Sequence, residues 1–124
     1  MTQNLRLERV SLAAAEGTLS LDALTQRAAA MDAESWRTSS DVAQVAANYL
    51  RCHPRVVYVR YPGLREDALY AQAANTLQRG FGPVVAFELA ASAVDSEHTW
   101  RLLDCTGFTD AKAVVLALEN ALKP

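Results

Sequence analysis

The stretch His53–Leu89, HPRVVYVRYPGLREDALYAQAANTLQRGFGPVVAFEL, decides the fold of this chain. Arg55 to Tyr61 is rich in β-branched and aromatic residues, which suit a pleated, half-buried surface, and predicts a strand. Tyr61-Pro62-Gly63 ends that strand: Pro62 has no N–H to give a ladder, and Gly63 can take φ > 0 in a tight turn. From Arg65 the spacing becomes helical, with Leu69, Ala73 and Leu77 on one face and Tyr70 and Ala74 beside them. Gly80 stands where a helix takes its left-handed cap, and Gly82-Pro83 resets the chain for a second strand, Val84 to Leu89. Strand, helix and strand in that order predict a right-handed βαβ unit.

Upstream, Leu5, Leu7, Val10 and Leu12 suit an edge strand or a docking arm, with Ala13 to Gly17 leading into a break. Ser20 is a good N-cap for a helix carrying Leu21, Leu24, Ala28 and Met31 as its stripe. Asp32 to Ser35 is expected to loosen that helix, and Thr38-Ser39-Ser40-Asp41 to cap the next one, with Asp41 and Gln44 as a capping box. Val42, Val45, Ala46, Tyr49 and Leu50 give this second helix its apolar face, and His53-Pro54 stops it. Downstream, Ala90 to Thr99 is a small, polar connection, Trp100 to Cys105 a third strand, and Gly107 its end. Thr109 or Asp110 caps a last helix with Ala111, Val115, Leu118 and Leu122 in its stripe. The fold class expected is α+β, an α/β sandwich: a small sheet of about three strands with helices mainly on one face.

With 124 residues, the chain is long enough to bury roughly two-thirds of its unfolded surface in one core. Hydrophobic residues are 51% and charged ones 21%, which leans slightly apolar and favours an apolar interface. A net charge of −2 leaves no basic footprint for nucleic acid or for an anionic membrane surface. No apolar run approaches the ~20 residues that span a bilayer. Arg6, Glu8, Arg9 and Glu16 interrupt any signal-peptide core, so the expected location is the cytoplasm. Cys52 and Cys105 lie outside any CxxC and are not spaced with His53 or His98 as zinc ligands, so no metal site is expected.

The central stretch resembles the C-terminal small domain of the pyridoxal-phosphate (PLP)-dependent enzymes of cysteine and methionine metabolism. This transsulfuration group includes cystathionine synthases and lyases, methionine γ-lyase and O-acetylhomoserine sulfhydrylase. The matching pieces are His53-Pro54 with Val56, Val59 followed by Tyr61-Pro62-Gly63-Leu64, then Gly80-Phe81-Gly82 and Phe87-Glu88-Leu89. Leu21 to Leu50, with Asp22-Ala23 and Arg37, is similar to the two helices that precede them in the family. Thr106-Gly107 and Leu118-Glu119-Asn120 are similar to the family's last strand and closing helix. The resemblance covers roughly residues 20–122, which divides the chain into an N-terminal arm, 1–19, and a single domain, 20–124.

The resemblance implies the small domain of a fold-type I PLP enzyme, whose large domain supplies the Schiff-base lysine and the phosphate cradle. The only lysines here are Lys112 and Lys123, on and beyond the closing helix, and nothing resembles a phosphate loop. No cofactor is therefore expected in this chain, with PLP entering only if a large-domain partner supplies it. The family also places a long substrate-entrance segment after its Phe-Glu-Leu strand, and Leu89 to Trp100 is too short for it. The arginine that clamps the substrate carboxylate on the family's last strand aligns with Leu103. Arg101, two residues earlier on the same face, is the candidate substrate-binding residue.

The remaining candidates read as structural. His98 lies in the polar Glu97-His98-Thr99 loop without an obvious partner. Cys105, inside an apolar strand, is a small core residue more than a nucleophile. Tyr58, Tyr61 and Phe87 have no basic company with which to form a stacking platform. Trp36 and Trp100 are core or interface anchors. Glu66-Asp67 and Asp95 to Glu97 read as solvated faces. The function expected is that of a stand-alone C-terminal domain, non-catalytic alone, structural, and packed as a homodimer or against a separate PLP-binding domain. Two alternatives stand beside it: the substrate side of a split lyase or transferase, and an amino-acid binding module with a pocket between sheet and arm.

Overall fold

A computed structural model of the chain describes residues 5, 7–90 and 100–123. In chain order these form β1 (Leu7–Val10), α1 (Leu12–Thr18), α2 (Leu21–Ala30), α3 (Ala33–Arg51), β2 (Val56–Arg60), α4 (Tyr70–Thr76), β3 (Val84–Leu89), β4 (Trp100–Asp104) and α5 (Ala111–Ala121). The strands make one four-stranded sheet in the order β1-β4-β3-β2, every pairing antiparallel. The α+β class holds, and the fourth strand is the N-terminal segment, which joins the sheet as an edge beside β4.

Two expectations of the central stretch are corrected. β2 and β3 run antiparallel, with Val59 opposite Phe87 and Arg60 opposite Ala86, so no βαβ unit forms. The helix between them has only seven residues, starts at Tyr70 and not at Arg65, and packs on α2. Seven residues of helix span ~10 Å, less than the ~16 Å length of a five-residue strand; lying off the sheet, α4 does not carry the chain back for a parallel pairing. Gly63, in turn, does not have positive φ. It is required by close approach, since a Cβ there would sit 2.6 Å from the Tyr61 ring and inside the Gln44 side chain.

Alternation along the strands gives the sheet two apolar faces. Val85 and Phe87 of β3, with Leu103 and the following Cys105, meet Val42, Ala43, Ala46, Ala47 and Leu50 of α3 and Val114, Leu118 and Leu122 near α5. Each fully buried large side chain in this cluster contributes about 2 kcal/mol. Val84 and Ala86 turn the other way, under Ala15 of α1 and the adjoining Leu19, with Val10, Trp100 and Leu102 packed around them. The two longest helices therefore share one face. Residues 13–17, read as leading into a break, belong to the short helix on the other.

The caps follow hydroxyl and carboxylate chemistry. Ser20 accepts from the Ala23 amide at the start of α2, and Asp110 accepts from the Lys112 and Ala113 amides at the start of α5. Helix α3 differs from its expectation. Asp32 caps it by accepting from Ser35, and the helix runs unbroken to Arg51, so Thr38 to Asp41 lie inside it and Asp41 caps nothing. Val45 faces solvent at 45% exposure, while Ala43 and Ala47 take the buried positions. Arg55, just before β2, donates to the Leu122 and Lys123 carbonyls at 2.8 and 3.2 Å, which closes the C-terminus of α5.

Candidate functional site

Three polar clusters hold the central stretch in place. The first joins the middle of α3 to the glycine loop before β3. The Ser40 hydroxyl accepts from the Gly82 amide at 3.0 Å, and the Tyr61 hydroxyl lies 2.8 Å from the Gly82 carbonyl and 3.2 Å from that of Ser40. The Trp36 indole N–H donates to the Gly80 carbonyl at 3.3 Å. Tyr61 is fully buried and its phenol pKa is pushed far up by burial, so it acts as a neutral hydrogen-bonding group. It belongs to the core, as does Phe87, while Tyr58 stands 54% exposed on β2; the three make no common platform.

In the second cluster, the Asp67 side chain is 1% exposed and accepts from Arg60 Nε at 3.0 Å, the Tyr61 amide at 2.9 Å and the Leu69 amide at 2.9 Å. The expectation of a solvated face is wrong for this residue. Only its neighbour Glu66 is exposed, paired with Arg51 at 3.2 Å. Burial of a carboxylate requires a full set of donors, and here the turn supplies them. Arg60 also approaches Glu16 of α1 at 3.6 Å.

The third cluster lies at the end of β4. Arg27 donates to Asp104 Oδ2 at 2.7 Å and to the Thr106 hydroxyl at 2.6 Å, and that hydroxyl donates to Asp104 Oδ1 at 2.6 Å. Partial burial draws the Asp104 pKa up, but hydrogen bonds from Thr106 and Arg27 more than reverse it and hold the carboxyl below its ordinary value. A depressed folded pKa gives stability that is present above the unfolded value of about 3.9 and is lost as pH falls through the folded one. Asp104→Asn should therefore flatten the acid limb of urea midpoints measured below about pH 4 and leave the neutral limb parallel to the parent's. An unchanged acid limb would assign acid sensitivity to other groups.

Arg101 lies on β4 opposite Arg9 and Phe87, half-buried, and its guanidinium donates to the Trp100 carbonyl at 3.1 Å. Cys105 is fully buried, and its thiol is pushed up to about 12 by burial and by the charge of Asp104, so it is protonated at neutral pH. His98, Asp95 and Glu97 lie outside the described residues. Trp36 is buried in the core; Trp100 is half-buried and meets Tyr58 edge-on at 6.1 Å.

Surface cavities open among the described residues. One of about 290 Å³ runs along β2 past Arg51 and Leu64. A second, about 280 Å³, lies among α2, the start of α3 and the end of α4. A third, about 400 Å³, separates the first half of α3 from Thr106 to Thr109. The fourth, about 420 Å³, lies beside Arg60 and Leu69. Arg101 lines none of them, and neither does a lysine. Lys112 is exposed in the first turn of α5 and Lys123 is exposed beyond its end. A PLP Schiff base needs a desolvated, positioned amine, so these two side chains do not fit the cofactor. Among the described residues no group of three or more His, Cys, Asp or Glu could hold a metal ion, and no helix is long and apolar enough to cross a membrane. Sequence reasoning missed the burial of Asp67 and the role of Ser40; both were legible only as hydrophilic residues between helices or strands.

Comparison with known proteins gives the geometry its context. Residues 35–113, well over half of the chain, match the family described as Cys/Met metabolism PLP-dependent enzyme. O-acetyl-L-homoserine sulfhydrylase from Leptospira meyeri is 36% identical over 77 residues, which cover 56% of this chain and 17% of that enzyme. The chain thus spans a small part of the length of the curated relative it matches. Among solved structures, cystathionine gamma synthase from Xanthomonas oryzae pv. oryzae superposes with a TM-score of 0.62 at 18% identity, covering 70% of this chain and 33% of that one. A methionine gamma lyase from Micromonospora echinospora superposes with a TM-score of 0.60 at 19% identity, covering 71% and 32%. These two likenesses are of fold. The match running from α3 through β2, β3 and β4 into the start of α5 is one of sequence, and by it the chain belongs to the Cys/Met metabolism PLP-dependent enzyme family.

Proposed function

We propose that this chain is the C-terminal small domain of a sulfur-amino-acid PLP enzyme, non-catalytic by itself, whose work is to pack against other protein surface. The observation that carries the reading is the placement of both lysines: each is exposed on or beyond α5, and neither lines a described cavity. The cofactor chemistry of the family then belongs to protein outside these residues. Titrating the purified chain with PLP, followed by absorbance, should give no saturable Schiff-base band. A saturable band that disappears in Lys112→Arg or Lys123→Arg would overturn the reading.

The packing partner we favour is a second copy of the chain. β2 is an edge strand with Val57 62% and Tyr58 54% exposed, a combination that a symmetric pairing would cover. Light scattering at micromolar concentration should return twice the chain mass; a strict monomer removes the proposal.

A second reading rests on the family match: a separate PLP-binding domain completes the site, and this domain supplies its substrate side. In that assembly Arg101 is the carboxylate clamp. Activity should appear only on mixing the two parts, and Arg101→Ala should then raise KM for the amino acid with little change in the PLP spectrum.

A further inference from the structure

The cavity among α2, α3 and α4 carries a feature that neither the fold nor the family reading uses. Arg79 is the one non-glycine among the described residues with positive φ, at 65°. Its side chain is exposed and makes no hydrogen bond or ion pair within the described protein. A bulky residue in the left-handed region is held there by its surroundings and marks a position worth testing for function. Here the strained position places an arginine in the lining of a cavity of about 280 Å³ with one apolar wall.

The cavity's apolar wall is Ala28 of α2, Ala33 at the start of α3, Trp36 and Leu77, and its polar side is Thr25, Thr76 and the Gln78 amide beside Arg79. Trp36 is 3% exposed, and its indole is fixed by the bond to the Gly80 carbonyl, so this wall is rigid. None of the lining residues is acidic. The nearby Asp32 carboxylate is engaged with its own helix, accepting from the Ser35 amide at 2.8 Å and the Ser35 hydroxyl at 2.7 Å.

We propose that this cavity binds a small aliphatic monocarboxylate, its chain against Trp36, Ala28 and Leu77 and its carboxylate on the Arg79 fork. An uncommitted guanidinium beside an apolar wall selects an anion with a hydrophobic tail, because the fork matches two carboxylate oxygens and that wall takes the alkyl chain. None of the lining residues offers a carboxylate to an α-ammonium, so the class proposed is a simple acid in preference to a zwitterionic amino acid. This site stands apart from Arg101 and does not depend on the family assignment.

The test uses the full 15N-labelled chain and hexanoate as the probe, read by amide and indole NMR shifts. Hexanoate should give saturable shifts at the Trp36 indole N–H and the Gly80 amide. Hexanol and norleucine should each bind at least about tenfold more weakly, the factor expected for losing one charge-assisted pair or leaving one charge unpaired. Arg79→Gly relieves the backbone strain and keeps the fold, so its melting temperature should be equal or higher while hexanoate affinity falls by about tenfold or more. Arg79→Asn, which tolerates the same backbone without the charge, should behave likewise. No saturable shift, equal binding of hexanol or norleucine, or undiminished binding by Arg79→Gly would each overturn the proposal. A side chain strained only by its turn predicts the higher melting temperature of Arg79→Gly, but no hexanoate binding in the parent for it to lose.

Discussion

Asp67→Ala should destabilise the domain by about 4 kcal/mol, within the range for breaking a buried ion pair by removing one partner. The variant strands three donors at once: Arg60 Nε, the Tyr61 amide and the Leu69 amide. The Tyr61 amide is buried and would lose the acceptor it now has. Arg60, whose side chain is 16% exposed, would be left with Glu16 at 3.6 Å as its remaining carboxylate. Since domains of this size are stable by about 5–15 kcal/mol, the loss should move the urea midpoint far toward zero. Asp67→Asn keeps one acceptor oxygen and should cost roughly half as much. If Asp67→Ala unfolds at the parent's midpoint, the Pro62–Leu69 turn is held by something other than this carboxylate.

Gly80→Ala should cost about 3 kcal/mol, from two separable effects. The residue has φ of 129°, outside what an L side chain adopts with ease, and an added Cβ would fall within the Ser40 side chain, 2.6 Å from its Oγ. Ser40 cannot yield without releasing the Gly82 amide that its hydroxyl holds. Introducing Gly80→Ala into a Ser40→Gly background should remove the clash and leave the backbone cost, about 1–2 kcal/mol. The cycle therefore measures a coupling energy. Strict additivity of the two substitutions would show that Gly80 is required for its dihedral angle alone.

Both positions show how far one chain's sequence could be read. β3 was legible to the residue, because a run of apolar residues between Gly82-Pro83 and a polar segment has few other solutions. Ser20 was legible as a cap, and Asp110 as one of two neighbouring candidates with Thr109, because capping is local chemistry. Ser39 and Ser40 misled for the same reason: hydroxyls compete with helix backbone and so read as a helix start. The place of Ser40 inside α3 depends on a loop 42 residues later, where its hydroxyl meets the Gly82 amide. Asp67 misled in the same way, its acceptors being filled by Arg60 and Tyr61 only once the turn has closed. The antiparallel β2–β3 pairing was hidden because residue order does not reveal where a short helix packs. Arg101 was legible as a strand residue on the face of Leu103, but the pairing of β4 with both β1 and β3 placed it beside Arg9 and Phe87, away from the described cavities.

The pairing of β1 with β4 has a consequence for how the chain is made. Leu7–Val10 leaves the ribosome well before Trp100–Asp104, the strand that must receive it. At synthesis rates of about 5–20 residues per second, this separation leaves the early segment without its sheet neighbour for roughly 5–20 seconds. The β1–β4 pairing cannot form until β4 has been made, and slowing translation ahead of the Trp100 codon should lengthen the window in which nascent chains bind chaperones.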